Sequence, residues 1–559
     1  MKRRRHPPLF VTLAILVVSA SAVTPIPSHA QSDAGDSAPT VTEIDEWVRG
    51  AMDAWDIPGL ALAVIVDGEV LMAKGYGVRQ LGEPDLVDEN TLFSIGSCSK
   101  AFGAAAVAHL VEARALEWDD RVTDYLPWFR LWDPWTTQEL RVRDIVTHRV
   151  GTPSTQWLRP ISKNRRDYLS RLQYGGRQHR FRDRFGYTND MFILSGQLVE
   201  TVSGERWNEY ATESLWGPLG MSSTTALIDE ANARPNHAMP HAFRERRYVG
   251  SHQGPGPALE PVPWQYVDDL MVPSGGIISS ANDMAKWLRF HVGATDGPLS
   301  RTSIEWMHAP HTAIQQALSW MTFEGGGAYA MGWATGHFAG VRTVGHAGAA
   351  LGFNCSTVMV PDEDFAVWSN VNRNSDLPYV LSKWIVARFF GDSEDRAMDW
   401  NAVQLERVAA QTDNARRVEA GRQAARLDQP PSLPLAEYAG SYENEFAGPL
   451  TIRVVEGSLD RRPSPAEGRA GRWDATPGLN ELPGTDVSAS SAGSTQPRLV
   501  AELDGRERPM QIELEHWHVD RFDGWWGDIK IGFSFEIDAQ AKVSGVTLDY
   551  YGDFARKPH

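Results

Sequence analysis

A mixed α/β fold followed by a small all-β domain is what this sequence predicts, on three observations. From about Thr42 to Arg396, strand-like runs such as "LALAVIVDGEVLMAKGYG" alternate with helix-like runs such as "AFGAAAVAHLVEARAL". A stretch rich in Ala, Arg, Glu and Gln then runs from about Trp400 to Asp428 and is stopped by "QPPSLP". Beyond it the helical patterns vanish, and short strand-like runs take over: "GPLTIRVVEG", "PMQIELEHWHVDRF", "KIGFSFEID" and "KVSGVTLDYY".

Taken in order, the 559 residues divide into segments that each follow from local chemistry. Lys2 and Arg3 to Arg5 precede an apolar run from Leu9 to Val23 and small residues up to Ala30, the pattern of a cleavable secretory signal over residues 1–30. The apolar run is shorter than the roughly 20 residues a spanning helix needs, so no stable membrane span is expected after cleavage, and a periplasmic or secreted location is. Residues 31–41 read as a linker, 42–396 as the α/β domain, 397–432 as a helical linker and 433–559 as a small antiparallel barrel or sandwich. Asp67-Gly68 between two β-rich runs signals a tight hairpin. The Ser-, Gly- and Pro-rich residues 462–496 read as a flexible insertion in the last domain.

Composition excludes several function classes. With 42% hydrophobic and 22% charged residues the chain has the make-up of a folded soluble domain. Its formal net charge is -17, and removing the four signal cations makes it -21, which repels nucleic-acid phosphates and anionic lipid heads alike. The partner left by this exclusion is a small-molecule or peptide substrate; oligomeric state is not legible. Two cysteines, Cys98 and Cys355, are too few for a disulfide scaffold and read as free buried thiols, with mutual approach left open.

The stretch "TLFSIGSCSKAF" offers four nucleophile candidates, Ser94, Ser97, Cys98 and Ser99, beside Lys100. A serine hydroxyl needs a base within hydrogen-bond reach, and three-residue spacing on a helix puts Lys100 beside Ser97 rather than beside the others. The helix N-terminus there also favours a developing negative charge. Further along, "RFGYTND" supplies Tyr187 and Asn189, and "RTVGHAGAALGF" supplies His346 and Gly348. His516 and His518 alternate on a strand-like run and so share a face, a spacing that metal ligands also use, but strand packing is the preferred reading and no metal is expected. His148 reads as structural, bonding a nearby turn, and "RQHRFRDRF" as a solvated loop or a rim of the site.

In order, Ser97-Cys98-Ser99-Lys100, Tyr187-Thr188-Asn189 and His346-Ala347-Gly348 resemble the three signatures of the serine β-lactamase and penicillin-binding protein superfamily, of class C type. Segments such as "DIVTHRVGTP", "PSGGIISSANDMAKW" and "MGWATG" are similar as well, over roughly residues 42–390. The last domain, with "EYAGSYENEFAGPLTI" and "LEHWHVDRF", looks like the lipocalin-like domain appended to some members, D-stereospecific peptidases among them. The resemblance implies an antiparallel sheet flanked by helices, a helical lobe and a site between them, with no cofactor. It makes Ser97 the acylated nucleophile, Lys100 and Tyr187 the proton-transfer pair, Asn189 a contact to the substrate amide and His346 the opposite wall. Gly348 and Ala349 would border the substrate, with the backbone N–H groups of Ser97 and Ala349 as the oxyanion hole. Which of Lys100 and Tyr187 is the formal base stays open.

His346 stands where the resembled lactamases carry Lys. Its partial charge at neutral pH weakens recognition of a β-lactam carboxylate and shifts the expectation toward peptides or esters. The function expected is thus an exported serine hydrolase, a peptidase on D-amino-acid-containing peptides or an esterase. The alternatives are a β-lactamase and a non-catalytic penicillin-recognising protein.

Overall fold

Leu60, Leu62 and Val64 leave one face of the strand Gly59–Val66 (β1), Ala61, Ala63 and Ile65 leave the other, and all six are fully buried. A strand covered on both sides must lie inside a layered structure, and β1 is an interior strand, one in from the edge, of an eight-stranded antiparallel sheet. Glu69–Gly77 (β2) follows through the predicted turn, with Asp67 and Gly68 both at positive φ, 51° and 73°. The other members are Thr312–Ile314 (β3), Gly327–Tyr329 (β4), Ala334–Phe338 (β5), Val341–Ala350 (β6), Phe353–Val360 (β7) and Phe365–Val371 (β8). The order across the sheet is β2-β1-β8-β7-β6-β5-β4-β3.

The computed structural model describes residues 38–243, 259–262, 264, 270–293, 296–315, 327–350, 352–425, 429–456, 497–505, 509–526 and 529–557. The signal at 1–30, most of the 31–41 linker and the 462–496 insertion expected from sequence lie outside them. Among the described residues, no helix is long and apolar enough to cross a membrane.

One face of the sheet is covered by Val41–Trp55 (α1) and, from the far end of the domain, Leu377–Phe390, whose apolar residues share a core with Leu60, Leu62 and Val64. α1 begins with a capping box in which Thr40 and Glu43 satisfy each other's backbone N–H. On the other face Ala281–Val292 (α4) packs against β1, β2 and β8, and Ser99–Glu112 (α2) joins the same core with Asp190–Ser203 (α3) packed on it. α2 is buried nearly all round, as its run of Ala, Val and Leu requires. We label Leu377–Phe390 α5. It leads through a short turn to Trp400–Ala424 (α6), a 25-residue helix where the helical linker was expected.

Eight further strands close into a barrel: Gly440–Asn444 (β9), Gly448–Val455 (β10), Arg498–Leu503 (β11), Met510–His518 (β12), Arg521–Trp526 (β13), Ile529–Ile537 (β14), Val543–Leu548 (β15) and Gly552–Arg556 (β16). Closure comes from pairing of the first strand with the last, Tyr442 opposite Arg556 and Glu443 opposite Ala555. Two sequence readings need correction here. "PMQIELEHWHVDRF" is two strands, β12 and β13, because the chain turns at Val519-Asp520, where Val519 has φ 48°. The ladder register also shifts between His516 and His518, so the bulge breaks the simple alternation that put both histidines on one face. His516 is a structural group, its Nε2 donating to the Val519 carbonyl at 2.9 Å and its ring edge-on to Phe522.

Candidate active site

Ser97 lies on a single 3₁₀ turn, Gly96–Cys98, that leads straight into α2. In such a turn side chains at i and i+3 eclipse, so the spacing that singled out Lys100 acts even more strongly than on an α-helix. Nζ of Lys100 is 3.1 Å from Ser97 Oγ, 2.7 Å from Asn189 Oδ1 and 2.7 Å from the Ser274 carbonyl oxygen. Lys100 is fully buried, while Ser97 is half-buried and reachable. Burial penalises the ammonium form and pushes the Lys100 pKa down to about 7, against a smaller upward pull from Cys98 and Asp190.

Tyr187 and Asn189 come from the segment that enters α3, and the Lys100 Nζ stands 4.8 Å from the Tyr187 ring centroid. Burial raises the Tyr187 pKa above the ordinary phenol value, and a hydrogen bond with Ser97 opposes that shift. On the other side stands β6. Its pairing with β5 ends at Gly345 opposite Ala334, so the stretch from His346 to Ala350 extends past the β5 ladder. Gly348 belongs to that stretch, and a Cβ there would meet the Ile95 carbonyl oxygen at 2.1 Å and Cys355 Sγ at 2.6 Å. Gly96, with φ 48°, would likewise drive a Cβ to 2.6 Å from the Ala349 backbone nitrogen. Two glycines therefore let the nucleophile turn and β6 abut backbone to backbone. The ring centroids of His346 and Tyr187 are 6.2 Å apart across the cleft. All seven residues predicted from sequence, Ser97, Lys100, Tyr187, Asn189, His346, Gly348 and Ala349, are thus brought to one cleft.

The support around them holds more than the sequence announced. Ser99 is not a mere packing neighbour: its Oγ donates to the Gly96 carbonyl at 2.6 Å and accepts from Ile277 N–H at 3.0 Å, tying the turn to the segment after Ser274. Asp190 is fully buried and accepts from Thr188 Oγ1 (2.7 Å), from Thr155 N–H (3.1 Å) and from the Tyr168 hydroxyl, which fixes the Tyr187–Asn189 segment from behind. Burial raises its pKa, opposed by those donors. His148 is structural as expected, since its Nδ1 accepts from Thr188 N–H, and its ring also packs 4.3 Å from that of Tyr187. Burial above all, with the electrostatic influence of Lys100 next, pushes its pKa well down.

Cys98 and Cys355 are free and buried, with sulfurs 3.1 Å apart beneath the nucleophile turn. The "RQHRFRDRF" stretch is less solvated than its charges suggest, because Arg182 donates to the fully buried Asp144 through Nε at 3.0 Å and Nη2 at 2.6 Å. Tyr329 is the site neighbour that sequence reasoning missed, its hydroxyl lying 3.1 Å from His346 Nε2. Among the described residues, no group of three or more His, Cys, Asp or Glu could hold a metal.

A sheet between helices with a polar cleft at the N-terminus of a buried helix is a mixed α/β, β-lactamase-like fold, here followed by a closed barrel. The Beta-lactamase family profile matches residues 44–391, most of the chain, and the protein belongs to that family. The unguisins hydrolase ungD' of Aspergillus campestris is 30% identical over 437 residues, 75% of this chain and 78% of the relative. Protein flp of Staphylococcus aureus is 22% identical over 345 residues, 60% of this chain and 63% of its own. Among solved structures, the octameric penicillin-binding protein homologue from Pyrococcus abyssi superposes with a TM-score of 0.57 at 20% identity, over 92% of this chain and all of the other, a likeness of fold.

Proposed function

We propose that this member of a hydrolase family is an exported serine hydrolase that forms an acyl-enzyme on Ser97 and releases it with water. The observation that carries the reading is the cage around Lys100 Nζ: Ser97 Oγ at 3.1 Å, Asn189 Oδ1 at 2.7 Å and the Ser274 carbonyl at 2.7 Å. A neutral lysine has two N–H donors and one lone pair. Asn189 and Ser274 offer only acceptor oxygens to it, so the lone pair falls toward the Ser97 hydroxyl. The charged form has three donors for the same three partners. A proton can therefore pass from Ser97 to Lys100 without moving a heavy atom, which is the condition for fast general-base catalysis.

The pKa directions support Lys100 over Tyr187 as the base. Lys100, brought to about 7, is neutral in roughly half of the molecules at pH 7, whereas Tyr187 is pushed away from ionisation. Lys100 is the base in the free enzyme, and Tyr187 is a neutral phenol that relays the proton to the leaving group. Ser97 Oγ then bonds to the acyl carbon, the bond to the leaving group breaks, and the leaving group departs protonated. In this reading the backbone N–H groups of Ser97 and Ala349 receive the oxyanion, each worth about 2.7–4 kcal/mol in such sites. With Oδ1 engaged by Lys100, Asn189 can offer a substrate carbonyl only its Nδ2 amide.

As substrates we infer peptides, D-amino-acid peptides included, or esters. The absence of lysine at position 346 supports this, and so does a relative named for hydrolysing unguisins. The test is intact-mass labelling with a fluorophosphonate and a penicillin, on the parent and on Ser97→Ala, followed by a panel of esters, D-amino-acid peptides and a chromogenic cephalosporin. One label on the parent, none on Ser97→Ala, and turnover of esters or peptides above the cephalosporin are expected. Label kept by Ser97→Ala defeats the assignment, and a labelled parent that turns over nothing supports a penicillin-recognising protein without catalysis.

A further inference from the structure

His346 is buried on β6 with both ring nitrogens already engaged. Nδ1 lies 2.6 Å from the Ala347 carbonyl oxygen, which can only accept, so Nδ1 carries a proton. Nε2 lies 3.1 Å from the hydroxyl of Tyr329 on β4. Tyr329 is fully buried, with its ring 4.4 Å from His148, 5.6 Å from Phe185 and edge-on to His346 at 5.9 Å. Burial holds its phenol protonated. A phenol O–H beside an imidazole whose other nitrogen is protonated donates into the Nε2 lone pair. With both ring nitrogens engaged, the β6 wall presents no spare N–H. Lys100 does not substitute for it, because its three hydrogen-bond directions go to Ser97, Asn189 and Ser274.

Resting on the serine-hydrolase reading, we infer that Tyr329 is a specificity-determining positioning residue: by occupying Nε2 of His346 it fits the cleft to acyl donors with no carboxylate on the leaving-group side. Neutral esters and peptide bonds within a chain belong to this class. Substrates whose leaving group bears a free carboxylate do not, because that carboxylate would lose its water and meet an imidazole nitrogen already filled.

The probe is a matched pair: a chromogenic depsipeptide whose leaving hydroxy acid has a free carboxylate, and the same compound as its methyl ester. The parent should favour the methyl ester by about tenfold or more in kcat/KM. Tyr329→Phe keeps the ring and vacates Nε2, so that preference should narrow by about threefold or more. His346→Lys installs a cation and should turn the preference toward the free acid, which keeps the inference testable if Tyr329→Phe does not fold. A general structural loss would slow both compounds and leave their ratio unmoved. A parent with no preference, or a ratio unchanged in both variants, overturns the inference. Each protein is first labelled with fluorophosphonate. No label at Ser97 of the parent defeats the serine reading and this inference together, while label without preference defeats this inference alone.

Discussion

The cleft floor and the barrel interior are equally buried, yet they are filled with opposite materials. Beneath the cleft lie Lys100, Asp190, His148 and His346, all at most 2% exposed. Inside the barrel lie Tyr442, Leu450, Ile512, Phe522 and Phe533, at most 1% exposed, with Phe522 packed edge-on to both Tyr438 and Phe535. Burying ionisable groups costs stability unless each is hydrogen-bonded, and the cleft spends its hydrogen bonds on that. The barrel gains its stability chiefly from apolar area, with Asp523, 5 % exposed, paired to Arg422 and Lys530. Chemistry and cohesion are thus concentrated in different parts of one continuous core, and substitutions should separate them.

The largest effect should come from Lys100. Lys100→Met is expected to lower kcat by about a hundred- to ten-thousandfold, the span typical of general acid–base groups, measured with the neutral ester. Its pH behaviour carries a sign. For the parent, kcat/KM should fall about tenfold per pH unit once the pH drops below about 7, because protonated Lys100 cannot accept from Ser97. Folded Lys100 titrates near 7 and the unfolded side chain near 10.5, so the unfolded state binds more protons between those values and stability rises with pH across that window. Denaturant melts at pH 7 and 10 should show this rise in the parent and lose it in Lys100→Met.

On the barrel side, Phe522→Ala should cost about 3–5 kcal/mol of stability, the range for emptying a buried aromatic site. Its rate of Ser97 labelling per folded molecule should match the parent, and a slowed rate would mean that the two regions are coupled. Ser99→Ala is the intermediate case, because it removes one donor and one acceptor under the nucleophile turn. We expect a loss of about 1–3 kcal/mol in stability together with slower acylation. Slower acylation without loss of stability would place Ser99 in the chemistry instead of in the scaffold.

Much of this was legible in the sequence because the relevant signals were local. Asp67-Gly68 names its turn by its tolerance of positive φ, and Ser97 and Lys100 name each other by their spacing. Their distant companions Tyr187, Asn189 and His346 were legible only through the family resemblance. What stayed hidden was what topology assembles. The Ser274 carbonyl has no side-chain signature, and Tyr329 meets His346 only because β4 and β6 flank the same strand. Asp190 stands at an ordinary helix start, and only its burial reveals it behind Tyr187 and Asn189. The bulge that separates His516 from His518 likewise depends on the partner strand β13, which no pattern within β12 reveals.

Helix α6 sets a constraint of another kind. Its first turns are held by the catalytic region, where Gln404 donates to Asp376 at 2.7 Å and Lys383 lies over the Trp400 ring. Its last turn is held by the barrel, where Arg422 donates to Asp523 at 3.2 Å and stacks 3.8 Å over Trp517. At about 1.5 Å and 100° per residue, inserting one residue between these anchors would swing the barrel-facing side by more than a quarter turn. The helix therefore works like a keyed shaft: its tolerance for insertions is periodic, lowest for one or two residues and recovering near seven.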